Sequence, residues 1–114
     1  MKRIAIAACE NSNSVCAACA CLKAFNERIR AFERYAGEDI CLTAFMRCSH
    51  CDKEGDPMTD AGFVEKLDRF VSEGVDIVHI GSCGGRMEET ACPAMAKMAQ
   101  AFRSRGMTVV WGTH

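Results

Sequence analysis

The chain carries 9 cysteines and 3 histidines among 114 residues, and the spacing of these side chains sets what chemistry it can do. Cys48-Ser49-His50-Cys51 is a Cys-x-x-Cys knuckle, a turn that presents two thiolates to one tetrahedral ion, with His50 as an added imidazole. Cys16-Ala17-Ala18-Cys19 repeats the spacing, although the two pairs lie further apart than in a usual zinc ribbon. Thiolate and imidazole donors select zinc, other thiophilic ions or an iron-sulfur cluster. The same thiols can instead cycle between dithiol and disulfide. Cys9, Cys21, Cys83, Cys92 and the final residue, His114, are further donors of the same kinds.

Four short apolar runs, each consistent with a strand buried on both faces, must position these groups: "RIAIAAC", "DICLTAFMRC", "VDIVHIGSC" and "MTVVWGTH". Three amphipathic stretches separate them. In the first, Leu22, Phe25, Ile29, Phe32 and Ala36 recur at spacings of three and four, which predicts one helix ending near Gly37. The second follows the turn and cap residues of "GDPMTD" and is expected to bury Phe63, Val64, Leu67, Phe70 and Val71 before Gly74. The third starts at Pro93, a favourable first helical position, and buries Met95, Met98, Ala99 and Phe102 before Gly106.

Strand and helix alternate, so the sheet is parallel with helices on its faces. Right-handed crossovers leave few arrangements, and the favoured one is an α/β three-layer sandwich. Its sheet order is 2-1-3-4, a shortened flavodoxin-like topology, in a single domain over residues 1–114.

Ligands of open α/β sheets bind outside the carboxyl ends of the strands, where neighbouring connections part. On this reading the strands end at Cys9, Cys48, Cys83 and His114, and the following loops add Cys16, Cys19, Cys21, His50, Cys51 and Cys92. Only Cys41 and His79 fall away from that rim. Mid-strand His79 reads as a hydrogen-bonded core residue, and Trp111 is expected to pack on the last helix. Cys9, Cys48, Cys51 and Cys83 are the first-choice metal ligands. His114, Cys16, Cys21 and Cys92 complete that site or build a second. "GSCGGRMEE" offers glycines and Arg86 to an anion, but it lacks the full phosphate-loop pattern, and close backbone turns also account for its glycines.

Composition narrows the partners. The formal net charge is −1, and the basic residues alternate with Glu along presumed helix faces. No basic stripe marks a nucleic-acid or membrane surface. "MKRIAIAACE" has two basic residues before an apolar run too short for a secretion signal, and no stretch reaches membrane-spanning length. The expected setting is cytoplasmic, where dense cysteines serve metal or redox chemistry rather than a disulfide framework.

The chain resembles the CGGC-domain family of small prokaryotic proteins over nearly its full length. The resemblance rests on Cys9, on "CAACACLKAFNERIRAFERY" with Cys16 and Cys21, on the pair Cys48 and Cys51, on "GVDIVHIGSC" ending at Cys83, on Cys92, and on the terminal "GTH". At the motif that names the family, Ser49 and His50 stand between the cysteines in place of two glycines, and Cys19 and Cys41 are extras. The resemblance implies a metal-binding domain, zinc first, and brings no established enzymatic activity. Any catalysis would use a zinc-bound water or a metal-activated thiolate, with His50 as acid or base. Two alternatives stand beside this reading: a thiol-disulfide or iron-sulfur redox protein using Cys48 and Cys51, and a non-catalytic sensor or interaction module with structural metal.

Overall fold

A computed structural model describes residues 1–49 and 55–114 of the chain. Among these residues β1 (Lys2–Ala8), β2 (Ile40–Arg47), β3 (Ile77–Ile80) and β4 (Thr108–Trp111) form one parallel sheet in the order β2-β1-β3-β4, as the alternation predicts. Helices α1 (Cys19–Glu27), α2 (Ala61–Ser72) and α3 (Pro93–Ser104) complete the α/β sandwich. None is long and apolar enough to cross a membrane.

The side-chain alternation of β1 explains the layering. Ile4 and Ile6 face the cluster built with α1, while Ala5 and Ala7 face the cluster that holds α2 and α3. Both sets are fully buried, the pattern of a central parallel strand. Across the sheet, Phe63, Phe70 and Phe102 form one aromatic cluster, Phe102 stacked on Phe70 at 5.6 Å and edge-to-face with Phe63 at 5.8 Å between ring centroids. Each such contact adds about 1 kcal/mol beyond area burial, more than exposed ion pairs such as Lys2–Glu38 supply. Trp111 packs against the α2/α3 cluster, as expected.

Three expectations need correction. First, β2 and β4 are not buried on both faces. They lie at the two sheet edges, paired among the described residues with β1 and β3 respectively; Phe45 is 37% exposed and Thr108 is exposed as well. Second, Val71 of α2 is 45% exposed and Val64 half-buried. The buried stripe follows Phe63, Leu67 and Phe70, and at 100° per residue Val71 turns off it.

Third, the run Leu22 to Ala36 is not one helix. Helix α1 stops at Arg28, which is left-handed at φ +54; Ile29 is extended, Arg30 is again left-handed at φ +56, and a 3-10 segment covers Arg30–Tyr35. The break re-aims Phe32 and Tyr35 across the sheet face onto His79, and tertiary contacts there override the local period.

His79 is completely buried, as a core histidine should be. Its Nε2 lies 2.7 Å from the Tyr35 hydroxyl, Phe32 stacks on the ring at 4.1 Å, and Nδ1 has no hydrogen-bond partner among the described residues. Burial, with a smaller contribution from the Arg34 charge, pushes its pKa down to about 4. The neutral ring is therefore the folded form. Its stabilising contribution is complete above the unfolded value near 6.5 and is lost as pH falls toward 4. Between pH 7 and pH 5, denaturant unfolding should show the native chain losing about 2 kcal/mol more than His79→Gln does. Parallel pH profiles for the two proteins would refute this.

Candidate functional site

The sheet ends sooner than the sequence predicts on one side. Strands β1 and β2 stop at Ala8 and Arg47, just before Cys9 and Cys48, but β3 and β4 stop at Ile80 and Trp111, before turns that carry Cys83 and His114. Glycine causes the difference at β4. Gly112 sits at φ +72, a conformation an L side chain adopts at a cost, and its Cα faces the Arg86 backbone. The turn lets the N–H groups of Gly112 and Thr113 both donate to the Ile80 carbonyl, at 3.0 and 3.2 Å.

The last two residues are thereby tied down. Thr113 is fully buried, and its carbonyl accepts the Ala31 N–H. His114 is held by Ser82, whose hydroxyl donates to the His114 carbonyl at 2.5 Å and lies 3.3 Å from the His114 nitrogen.

Around this terminus the structure brings several sequence-predicted residues together. The Cys9 N–H donates to Cys83 Sγ at 3.2 Å, directly where β1 and β3 part. A Cβ on Gly81 would lie 3.3 Å from Cys83 Sγ, a tight contact, and 3.7 Å from Cys21 Sγ, an ordinary one, so both sulfurs flank the bare Gly81 backbone. Cys21 Sγ is 3.1 Å from Thr113 Oγ1 and 3.8 Å from His114 Nδ1, and those two atoms are 2.9 Å apart. Cys19 and Cys21 belong to the first turn of α1 rather than to the preceding loop.

Electrostatics divides the thiols. Burial pushes the Cys21 thiol up, the Thr113 hydroxyl opposes this, and the neighbouring Cys83 and Cys16 thiolates raise it further. Cys16 goes the other way. The Ala18 N–H points at its sulfur at 3.3 Å and holds it below the usual thiol range; partial burial opposes this, and the Arg47 guanidinium adds to the lowering. Arg47 is itself fixed by the Cys16 carbonyl at 2.8 Å.

The remaining candidates sit apart. Cys48 continues the sheet through its N–H to the Ala8 carbonyl, but its buried side chain belongs to the α2/α3 cluster, on the face opposite Cys21. Cys92 is exposed at the N-terminus of α3, with its N–H on the Gly84 carbonyl. Cys41 lies near the start of β2, far along the strand from the rim, with Sγ 3.4 Å from Thr43 Oγ1. His50 and Cys51 lie outside the described residues, so the Cys48-x-x-Cys51 knuckle is described only at Cys48 and Ser49.

Among the described residues no disulfide forms, and no three His, Cys, Asp or Glu side chains close to metal-holding distance. The glycine-rich turn is not a free anion cradle, because the Gly81 and Gly84 N–H groups are spent on the Ala7 and Gly81 carbonyls.

Sequence reasoning missed Thr113, Ser82, Gly81 and Arg47. Thr113 and Ser82 carried one available signal, since each adjoins a candidate ligand.

A doubly wound α/β domain with a rim of free thiols at its switch point is the class these observations define. The CGGC domain family model matches residues 3–114, and the chain belongs to that family. An uncharacterized protein of Methanocaldococcus jannaschii is 31% identical over 120 aligned positions, covering 98% of this chain and 86% of the relative. Among solved structures, Staphylococcus aureus homoserine dehydrogenase aligns with a TM-score of 0.38 at 12% identity, over 97% of this chain. This chain spans only 32% of that enzyme, and a likeness this slight supports no functional argument.

Two predictions follow from the geometry. Gly112→Ala places a side chain at positive φ without a steric clash and should cost about 1 kcal/mol in denaturant unfolding; an unchanged midpoint would contradict the tether. In metal-free protein at neutral pH, iodoacetamide should alkylate Cys16 several-fold faster than Cys21, and Arg47→Gln should narrow that gap. Peptide mass mapping reads both rates.

Proposed function

We propose that this protein binds a thiophilic metal ion, zinc first, at the carboxyl rim of its sheet. One observation carries the reading: Cys21 Sγ and His114 Nδ1 lie 3.8 Å apart beside Cys83. Two donors on one tetrahedral zinc, at ordinary Zn–S and Zn–N lengths, stand about 3.5 Å apart. The pair fits with a small adjustment. Cys83 is the adjacent third donor, and Cys9, Cys16, Cys48, Cys51 and Cys92 are the further candidates.

The surroundings support a cation. Negative charge on Cys16 or Cys83 disfavours ionising Cys21, and a bound cation would offset that repulsion. The Cys9 N–H on Cys83 and the Ala18 N–H on Cys16 are donors that stabilise thiolate sulfur. When bound, zinc would supply Lewis acidity or a fixed fold; the protein's residues orient it and tune its charge. A reducing, cytoplasmic setting keeps these thiols available.

A second reading, thiol redox chemistry, is favoured by one observation, the lowered Cys16 thiol beside Arg47. It would centre on Cys16 rather than on the Cys48–Cys51 pair.

Cobalt(II) titration of reduced, untagged protein distinguishes the two. Metal binding predicts saturable thiolate-to-cobalt absorption. Loss of an outer-sphere partner already weakens metal sites about 10- to 100-fold, so Cys21→Ser and Cys83→Ser should each cost at least about tenfold. His114→Ala should also weaken binding while leaving helical circular dichroism intact, and Cys41→Ser should change nothing. Absence of the absorption, with one reversible disulfide at Cys16, would establish the redox reading instead.

A further inference from the structure

Against the outer side of His114 lies a pocket of about 390 Å3 that thiol chemistry does not use. Its walls come from α1, from the break after it, from the turn following β3 and from the segment after β4, and they include Lys23, Ala24, Ile29, Arg30, Arg86 and His114. Three of these are cations. No ion pair or side-chain hydrogen bond engages Lys23, Arg30 or Arg86 among the described residues, whereas Lys2, Arg103 and Arg105 each meet a carboxylate. Among the described residues no acidic side chain lines the pocket. In a chain of formal net charge −1, three unpaired cations around one concavity are a local concentration rather than the average surface.

The fold holds this concentration in place. Arg30 occupies the second of the two left-handed positions that interrupt α1, a conformation costing an L-residue about 1–2 kcal/mol. Had the helix run on through Ile29 to Ala36, Arg30 would have followed the helical path rather than the wall of this pocket. Arg86 is held from the other side, where its backbone packs on Gly112. The pocket volume falls in the range of small-molecule sites.

We propose that this pocket binds a small molecule carrying two or more anionic oxygen groups, carboxylate or phosphate, with Arg30, Arg86 and Lys23 as its recognising cations. His114 joins this pocket to the Cys21 sulfur, so the bound molecule lies next to the thiol rim. The site goes beyond metal binding and does not need it.

Calorimetric titration of chelator-treated protein with pyrophosphate, and separately with citrate, tests the proposal. Saturable binding of either at one per chain is expected, pyrophosphate alone assigning a phosphate ligand and citrate alone a carboxylate one. Arg30→Gln and Arg86→Gln should each weaken it about tenfold, the worth of one charged hydrogen bond. Lys97→Gln, on α3 and outside the pocket, should leave it unchanged, as should Cys21→Ser, which separates this site from the metal reading. Failure of both probes to bind, or equal affinity in the Arg30→Gln/Arg86→Gln double variant with native circular dichroism, would overturn it.

Discussion

Strands β1 and β3 lie side by side and parallel, and the chain leaves them toward opposite faces of the sheet, to α1 and to α3. The rest of the site depends on this divergence. The ladder between the two strands continues as far as Gly81 N–H on the Ala7 carbonyl, and beyond it the Cys9 N–H has no strand to pair with. A sulfur takes that role, Cys83 Sγ at 3.2 Å. A thiol is therefore part of the backbone's hydrogen bonding at the point where the topology opens a crevice.

The C-terminal segment depends on the same place. Gly112 turns the chain so that Ile80 holds both Gly112 and Thr113, Thr113 reaches Cys21, and Ser82 holds His114. Each bond contributes about 1 kcal/mol, but they share donors and acceptors among β3, α1 and the terminus, so they form and break together. The interruption of α1 belongs to this set, because Ala31 donates to the Thr113 carbonyl while Phe32 and Tyr35 cover His79. One helix break thus serves the core on one side and a cationic pocket on the other.

Much of the architecture was legible in the residues. Apolar runs separated by amphipathic segments encode a parallel sheet, and the handedness of crossovers leaves the order 2-1-3-4 as the favoured one. Pro93 and Asp60 marked two helix starts correctly, and Asp60 accepts the Gly62 N–H at 2.9 Å. The strand-end positions were legible too, since Cys9, Cys83 and His114 do follow the ends of β1, β3 and β4. The centre of the cluster did not. Cys21 was read as a secondary candidate in a loop, yet it is the buried sulfur that meets Thr113 and His114. Cys48, a first choice, turns into the opposite core. A strand alternates faces residue by residue, so a strand-end position names the edge but not the side.

By itself, then, the sequence determined the class of fold, the family and the edge of the sheet where the thiols gather, because those follow from periodicity, crossover geometry and motif order. Only the tertiary structure decided which thiols share a face, that the first helix breaks at Arg28, and that three cations without partners among the described residues stand beside His114. Those outcomes turn on contacts between residues far apart in the chain, Cys21 with Thr113, Phe32 with His79, Gly112 with Arg86. Local spacing carries no information about such pairs.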